Sequence, residues 1–139
     1  MNTNENTSKM KERKAILSTL WIFVSVNYIF CDLLSNMEPE FLKALVEGGE
    51  VVGSQPITQE FLLGAAILVE ISFIMIILSR VLKYGVNRWM NIIAGTIMTL
   101  VQIGSFFVGP PTLHYIFFSV IEITCTLIII WYAWTWRNT

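Results

Sequence analysis

The segment of residues 61–78, FLLGAAILVEISFIMIIL, decides the fold class, because Glu70 and Ser72 are its only polar side chains. At about 1.5 Å per residue, one α-helix of this length crosses the hydrocarbon core of a bilayer. Three further apolar blocks occupy residues 15–34, 90–108 and 115–136. Spanning β-strands are excluded, since they need only ~10 residues and alternate in polarity. The sequence therefore predicts an all-α integral membrane four-helix bundle, with spans at about 15–36, 60–79, 89–108 and 113–136.

The composition agrees with a membrane protein. Hydrophobic residues make up 55% of the 139 positions and charged residues only 14%, against about 25% charged residues in soluble domains. The net charge is −1, and no basic patch with interleaved aromatic side chains is present. No nucleic-acid partner is therefore expected. We predict one domain, residues 15–136, between a disordered cytoplasmic tail at 1–14 and a short cytoplasmic tail at 137–139.

Lysine and arginine are distributed unevenly among the predicted loops. The first loop carries Lys43 as its only basic residue, and the third loop, residues 109–113, carries none. The other basic residues precede the first span, join the second span to the third, or follow the fourth: Lys9, Lys11, Arg13, Lys14, Arg80, Lys83, Arg88 and Arg137. Because cytoplasmic loops are enriched in Lys and Arg, both termini are predicted to be cytoplasmic.

The long first loop contains a short amphipathic pattern. Pro39 suits the first turn of a helix, and apolar residues recur at i, i+1, i+4 and i+5 from Phe41, before Gly48 ends the pattern. Residues 39–47 are therefore predicted to form an extracytoplasmic helix, lying on the membrane surface or folding over the bundle as a lid. A loop is predicted at residues 50–59, where glycine and proline are frequent.

The tryptophans are expected at the membrane–water interface, where amphipathic rings are favoured. All of them lie near the predicted cytoplasmic ends of the spans: Trp21, Trp89, Trp131, Trp134 and Trp136. We interpret them as membrane anchors and not as a cofactor-binding set.

Glu70 and Glu122 are the ionisable residues deepest in the predicted spans. A carboxylate at the bilayer centre costs a few kcal/mol or more to insert. The helical rise places the two residues roughly 15 Å and roughly 14 Å below the outer surface. Two carboxylates at one depth in a low dielectric do not readily both ionise. The pair is therefore predicted to face one outward-opening pocket and to share a proton or hold a cation; the alternative is a protonated pair that only locks the bundle.

Other polar residues in the outer half of the spans follow helical periodicity. On the last span, Tyr115, Ser119 and Glu122 share a face, and Glu70 is expected to share an inward face with Phe73, Ile74 and Ile77. Since lipid cannot satisfy polar groups, such faces are predicted to meet inside the bundle. The candidate ligand-binding residues are Glu70, Glu122, Asn27, Tyr28, Asp32, Gln102, Tyr115 and Ser119. For Asn27, Gln102 and Ser119, the alternative is interhelical hydrogen bonding without a ligand.

The sequence offers little for a metal or redox centre. Asp32 and His114 are the only additional candidate metal ligands, and His114 also suits an interfacial position. Cys31 and Cys125 form no CxxC motif, and their predicted depths of about 5 Å and about 18 Å are too different for a disulfide. They are expected to be reduced core residues. No cofactor is assigned.

The order of these parts resembles the DoxX-like superfamily of bacterial four-helix membrane proteins, and most of all an uncharacterised branch of it. The residues that carry the resemblance are NYIFCD at 27–32, MEPEFL at 37–42, AILVEI at 66–71, NRW at 87–89 and FFSVIE at 117–122. The resemblance covers residues 15–136 and implies a multi-pass protein of the bacterial inner membrane. Some relatives are subunits of membrane oxidoreductases that pass electrons to quinone.

Three interpretations of function remain open at this point. The first is a small inner-membrane protein whose polar pocket, centred on the two glutamates, binds a cation, a proton or a small amphipathic, lipid-like ligand. The second is an accessory subunit of a quinone-linked membrane oxidoreductase. The third is a small intramembrane enzyme that uses the glutamates as acid and base. The expected surroundings are the lipid bilayer, and a homo-oligomer is compatible with the same pattern.

Overall fold

The computed structural model describes residues 2–47 and 58–137. Within them the chain is all α-helical, and the helices are α1 (Thr3–Asn36), α2 (Pro39–Val46), α3 (Gln59–Val81), α4 (Tyr84–Ser105) and α5 (Leu113–Trp134). The predicted all-α class is confirmed. The ends of α3 and α5 lie within about two residues of the predicted spans.

The first helix begins much earlier than predicted. Helix α1 starts at Thr3 and has 34 residues, so the expected disordered tail is wrong from Thr3 onward. Good helix formers such as Lys, Met and Glu continue the helix toward the N-terminus. Glu5 and Lys9 also form an i,i+4 ion pair at 3.1 Å, which is the favourable orientation of such a pair on a helix.

Three of the described helices, α1, α3 and α5, are long and apolar enough to cross a membrane. This identifies a membrane protein. Helix α4 has 22 residues, the same length as α5, but Asn87, Asn91 and Gln102 make it less apolar. These side chains are all buried inside the protein. A fourth span at α4 therefore stays a prediction, because length favours it and composition does not.

Hydrogen bonds from two serine side chains show that α1 and α3 run in opposite directions. Ser18 and Ser25 of α1 bond to the Ile76 carbonyl (2.9 Å) and to the Ser72 hydroxyl (3.0 Å) of α3. The residue numbers rise along one helix as they fall along the other, so α1 and α3 are antiparallel. Helix α1 also packs against α5, and α4 packs against α5 and α3.

The two ends of this helix assembly differ in character. At one end, called here the basic end, Arg13 donates a hydrogen bond to the Tyr132 carbonyl at 3.2 Å, and Arg88 donates to the Trp134 carbonyl at 3.0 Å. At the opposite end, the distal end, Ser35 lies 3.2 Å from a ring nitrogen of His114. The start of α1 and the end of α5 therefore lie at the same end.

The predicted short helix is confirmed as α2, with Pro39 in its first turn. It contacts α1 and contributes no buried residue. Its position on a membrane surface stays a prediction. The predicted terminator at Gly48 and most of the predicted loop at 50–59 lie outside the described residues. Within the described part, Thr58 is the N-cap of α3, and its hydroxyl accepts a hydrogen bond from the Phe61 amide.

Two of the five tryptophans are not interfacial anchors. Trp21 is completely buried and Trp136 is 2% exposed, which makes the prediction wrong for both. The indole of Trp21 has a hydrogen-bond acceptor inside the protein, described below, and Trp136 packs edge-to-face on Tyr84 with ring centroids 5.2 Å apart. The remaining three, Trp89, Trp131 and Trp134, are exposed, as anchors would be.

The closest backbone approach among the described glycines lies between α4 and α5. A Cβ atom at Gly95 would lie 2.8 Å from a side-chain carbon of Ile130 and 3.5 Å from the Thr126 carbonyl. The absence of a side chain at Gly95 lets the polar faces of α4 and α5 come together, which positions the candidate site.

Candidate functional site

A buried polar network centred on Asn91 joins three helices near the basic end. The Trp21 indole of α1 donates to Asn91 Oδ1 at 2.7 Å, and the Ser79 hydroxyl of α3 donates to the same oxygen at 3.1 Å. The amide nitrogen of Asn91 donates to Asn87 Oδ1 at 2.7 Å. The Asn87 amide in turn donates to the Ser79 carbonyl at 2.6 Å.

Every side-chain polar atom of this Asn91 network has a partner. Buried polar groups that are fully hydrogen-bonded stabilise and specify a packing arrangement. The network leaves no free donor or acceptor with which to recognise a ligand. We therefore assign it a structural role.

In the distal half, the polar faces of α4 and α5 meet as predicted. Gln102 donates to the Ser119 hydroxyl at 2.7 Å, and the hydroxyls of Thr99 and Thr126 are 2.7 Å apart. The Tyr115 hydroxyl donates to Ser105 of α4. The predicted polar stripes on these two helices thus face each other.

Glu122 differs from all these residues. It lies one turn from Ser119 on the same buried face of α5, with a relative exposure of 1%. Neither of its carboxyl oxygens has a hydrogen-bond partner among the described residues. Burial of a carboxylate without a partner is very costly, so such a group is neutral or holds a cation.

Tyr28 of α1 is the second buried side chain in the distal half with an unpartnered polar atom. Its exposure is 8%, and its hydroxyl has no partner among the described residues. Tyr28 and Cys31 lie one turn apart on the buried face of α1. A third buried polar atom without a partner among the described residues is Nε of the half-buried Arg88. It lies at the basic end, where another nitrogen of the same guanidinium is bonded.

We group five buried or half-buried polar side chains of the distal half as the Glu122 site: Tyr28, Gln102, Tyr115, Ser119 and Glu122. All five are predicted ligand-binding residues; Gln102 and Ser119 are hydrogen-bonded to each other, and ligand binding by the set stays a prediction. All five come from the buried faces of α1, α4 and α5, and Glu122 is at the centre. The site combines a carboxyl group with hydroxyl and amide groups in an otherwise apolar interior.

Three predicted residues lie outside this site, and two of them, Asn27 and Asp32, are on α1. The side-chain amide of Asn27 donates to the Phe23 carbonyl of its own helix at 2.9 Å, so it is occupied locally. Asp32 is exposed, one turn from Tyr28 toward the distal end. Asp32 therefore marks the distal edge of the site and not its interior.

Glu70 does not face Glu122, and the predicted pair is wrong. Glu70 is exposed on α3, together with the Phe73, Ile74 and Ile77 side chains of the face that was expected to point inward. The physical reason is that α3 uses its opposite side for packing. That side carries Ser72, Met75 and Ser79, all buried.

No group of His, Cys, Asp and Glu side chains that could hold a metal ion occurs in residues 2–47 and 58–137. His114 lies 3.2 Å from Ser35 and 3.1 Å from the Thr112 hydroxyl, so it joins α1 to the start of α5 at the distal end. Cys31 and Cys125 are both buried and unbonded to each other. The Cys125 thiol lies 3.5 Å from the Leu20 carbonyl.

Sequence reasoning missed the buried polar residues of α3, which are Ser79 in the Asn91 network and Ser72, bonded to Ser25 of α1. Ser72 and Ser79 are spaced i, i+7 with Met75 between them, which is the periodicity of one helix face. In an apolar span, small polar residues at this spacing indicate the face that packs against other helices. They predict the packed face of α3 better than the position of one glutamate does.

The fold and the site define the class: an all-α membrane protein with a buried, unpartnered carboxyl group between its helices. The family model of DUF6326, a family of unknown function, matches residues 6–139, and the chain belongs to this family. Comparison with curated proteins and with solved structures gave no match.

Proposed function

We propose that this protein binds a proton reversibly inside the membrane, at the Glu122 site. The observation that carries the proposal is that both carboxyl oxygens of Glu122 are buried and without a hydrogen-bond partner. A proton needs no additional ligand shell. It neutralises the carboxyl group and so removes the cost of burying a charge.

The surroundings of Glu122 suit a site that is loaded from the distal end. Asp32 is exposed at that end, one helical turn from the buried Tyr28. Carboxyl and hydroxyl groups in such an order are the usual elements of an intramembrane proton path. Asp32 would collect the proton and Glu122 would hold it.

A small cation is the second candidate, and Tyr28 favours it. Its unpartnered hydroxyl adds an oxygen to the two of Glu122, and hard cations are bound by oxygen ligands. This candidate needs further ligands, such as main-chain carbonyls or water. The idea of an enzyme with two glutamates as acid and base loses its basis, since Glu70 is exposed.

We further propose a four-span protein of the bacterial inner membrane with the basic end in the cytoplasm. Support comes from Arg13, Arg80 and Arg88, which lie at one end of the helices, as the positive-inside rule requires of a cytoplasmic end. The length of α4 supports the fourth span. Helix α2 would then be extracytoplasmic, and the order of elements agrees with a DoxX-like protein.

Proton uptake by the purified protein in lipid nanodiscs tests this function. On a shift from alkaline pH to about pH 6 in weak buffer, exposed carboxyl groups with an ordinary pKa of about 4.3 stay ionised. Over this range the wild type is expected to take up about one proton per chain more than Glu122→Gln, because the amide cannot be protonated. A pH-indicator dye measures the difference. Glu60→Gln, at an exposed position of α3, is the control for losing a surface carboxylate.

The same titration separates the two candidates. If the site holds a proton alone, replacing choline chloride by sodium chloride leaves the Glu122-dependent uptake unchanged. If it holds a cation, sodium competes and shifts the uptake to lower pH. Equal uptake by the wild type and Glu122→Gln in both salts would contradict the proposal.

A further inference from the structure

The exposed face of α3 contains a carboxyl group where an isolated membrane helix would have only apolar side chains. Glu70 lies in the middle of this face, with apolar residues one and two turns away on both sides. We call it the Glu70 face, and its members are Leu63, Ala66, Ile67, Glu70, Phe73, Ile74 and Ile77, all exposed.

The protein's own packing leaves Glu70 unsatisfied. The buried side of α3 is the opposite one, which carries Ser72, Met75 and Ser79. Among the described residues, no hydrogen bond from another side chain and no ion pair reaches the Glu70 carboxyl. Ionisable residues in spans are rare and normally pair with another polar group, and another molecule in the bilayer can supply one.

A second copy of this chain supplies a partner of the right chemistry at the right depth. A neutral carboxyl group has one donor and free acceptor capacity, so two identical carboxyl groups can satisfy each other. Copies with the same membrane orientation also hold Glu70 at the same depth. A two-fold axis along the membrane normal therefore brings Glu70 opposite Glu70.

We propose that the Glu70 face is a homodimer interface within the bilayer, held by a hydrogen bond between the two Glu70 side chains. Ala66, one turn from Glu70, has a short side chain that lets two helices approach. The two copies of α3 would cross near these residues.

Disulfide cross-linking in lipid vesicles tests the interface. In Ala66→Cys, which places a thiol on the Glu70 face, mild oxidation is expected to give covalent dimers. In Leu100→Cys, on the exposed surface of α4, no covalent dimer should form at the same lipid ratio, because the thiols lie away from the interface. Adding Glu70→Leu to Ala66→Cys should weaken dimerisation ~tenfold, the effect of an interhelical hydrogen bond of about 1.4 kcal/mol.

Adding Glu70→Gln instead distinguishes a specific hydrogen bond from simple apolar contact. A glutamine side chain is also self-complementary, so Ala66→Cys with Glu70→Gln should retain most of the dimer. Fluorescence energy transfer between labelled chains gives the same comparison without an introduced cysteine. A wild type that is monomeric over the whole range of lipid dilution would overturn the proposal, as would equal dimerisation of Glu70→Leu and the wild type.

Discussion

Replacing Asn91 by leucine is expected to lower the free energy of unfolding by roughly 2–4 kcal/mol. The change removes the acceptor of Trp21 and Ser79 and the donor to Asn87. Each buried polar group left without a partner costs about 1–3 kcal/mol. A single interhelical hydrogen bond in a membrane averages only about 0.6 kcal/mol. The loss for Asn91→Leu is expected to be larger because Asn91 bonds to three side chains.

The measurement is unfolding of the purified variant in mixed lipid–detergent micelles, followed by the loss of helical signal. Thr96→Leu is the matched control, because Thr96 lies on the same helix but is exposed and bonds only to the Ile92 carbonyl. We expect the control to change stability by less than about 0.5 kcal/mol. Equal losses for the two variants would contradict the structural role given to the Asn91 network.

Replacing Glu122 by methionine, unlike the change at Asn91, is expected to stabilise the protein. The free energy of unfolding should rise by about 1–3 kcal/mol. Methionine has a similar unbranched shape and no group that requires a hydrogen bond. An unpartnered buried polar group costs about this much, and the change removes it. A functional site kept at the expense of stability behaves in this way.

Thr126→Val provides the comparison on the next turn of α5. The Thr126 hydroxyl is paired with Thr99, so valine should cost about 1 kcal/mol. The two substitutions at neighbouring positions are therefore expected to differ in sign. If Glu122→Met were as destabilising as Thr126→Val, Glu122 would have a stabilising partner. The proposed site would then have only a structural role in helix packing.

The sequence was sufficient to predict the polar faces of α4 and α5. Gln102 and Ser119 follow helical periodicity in otherwise apolar spans, and a polar group in lipid must find a partner. The three apolar helices α1, α3 and α5 could be predicted from hydropathy, because their lengths match the bilayer.

The orientation of α3 could not be obtained in the same way. Because lipid and the protein interior are both apolar, a side chain such as Phe73 or Ile77 suits either environment and does not show which side of the helix is packed. The inward face of α3 was therefore predicted only from the assumption that a glutamate points into the protein. That assumption was wrong for Glu70 and right for Glu122. The burial of Trp21 was missed for a related reason, since its acceptor, Asn91, comes from a helix distant in sequence.

The most direct test of the central claim is the infrared spectrum of the wild type in lipid at neutral pH, compared with that of Glu122→Gln. A carboxyl group that holds a proton and has no hydrogen-bond partner gives a C=O band distinct from that of a carboxylate. We predict that this band is present in the wild type and in Glu70→Gln and is lost only in Glu122→Gln. A wild-type spectrum with no band that depends on Glu122, or with only its carboxylate bands, would contradict the account.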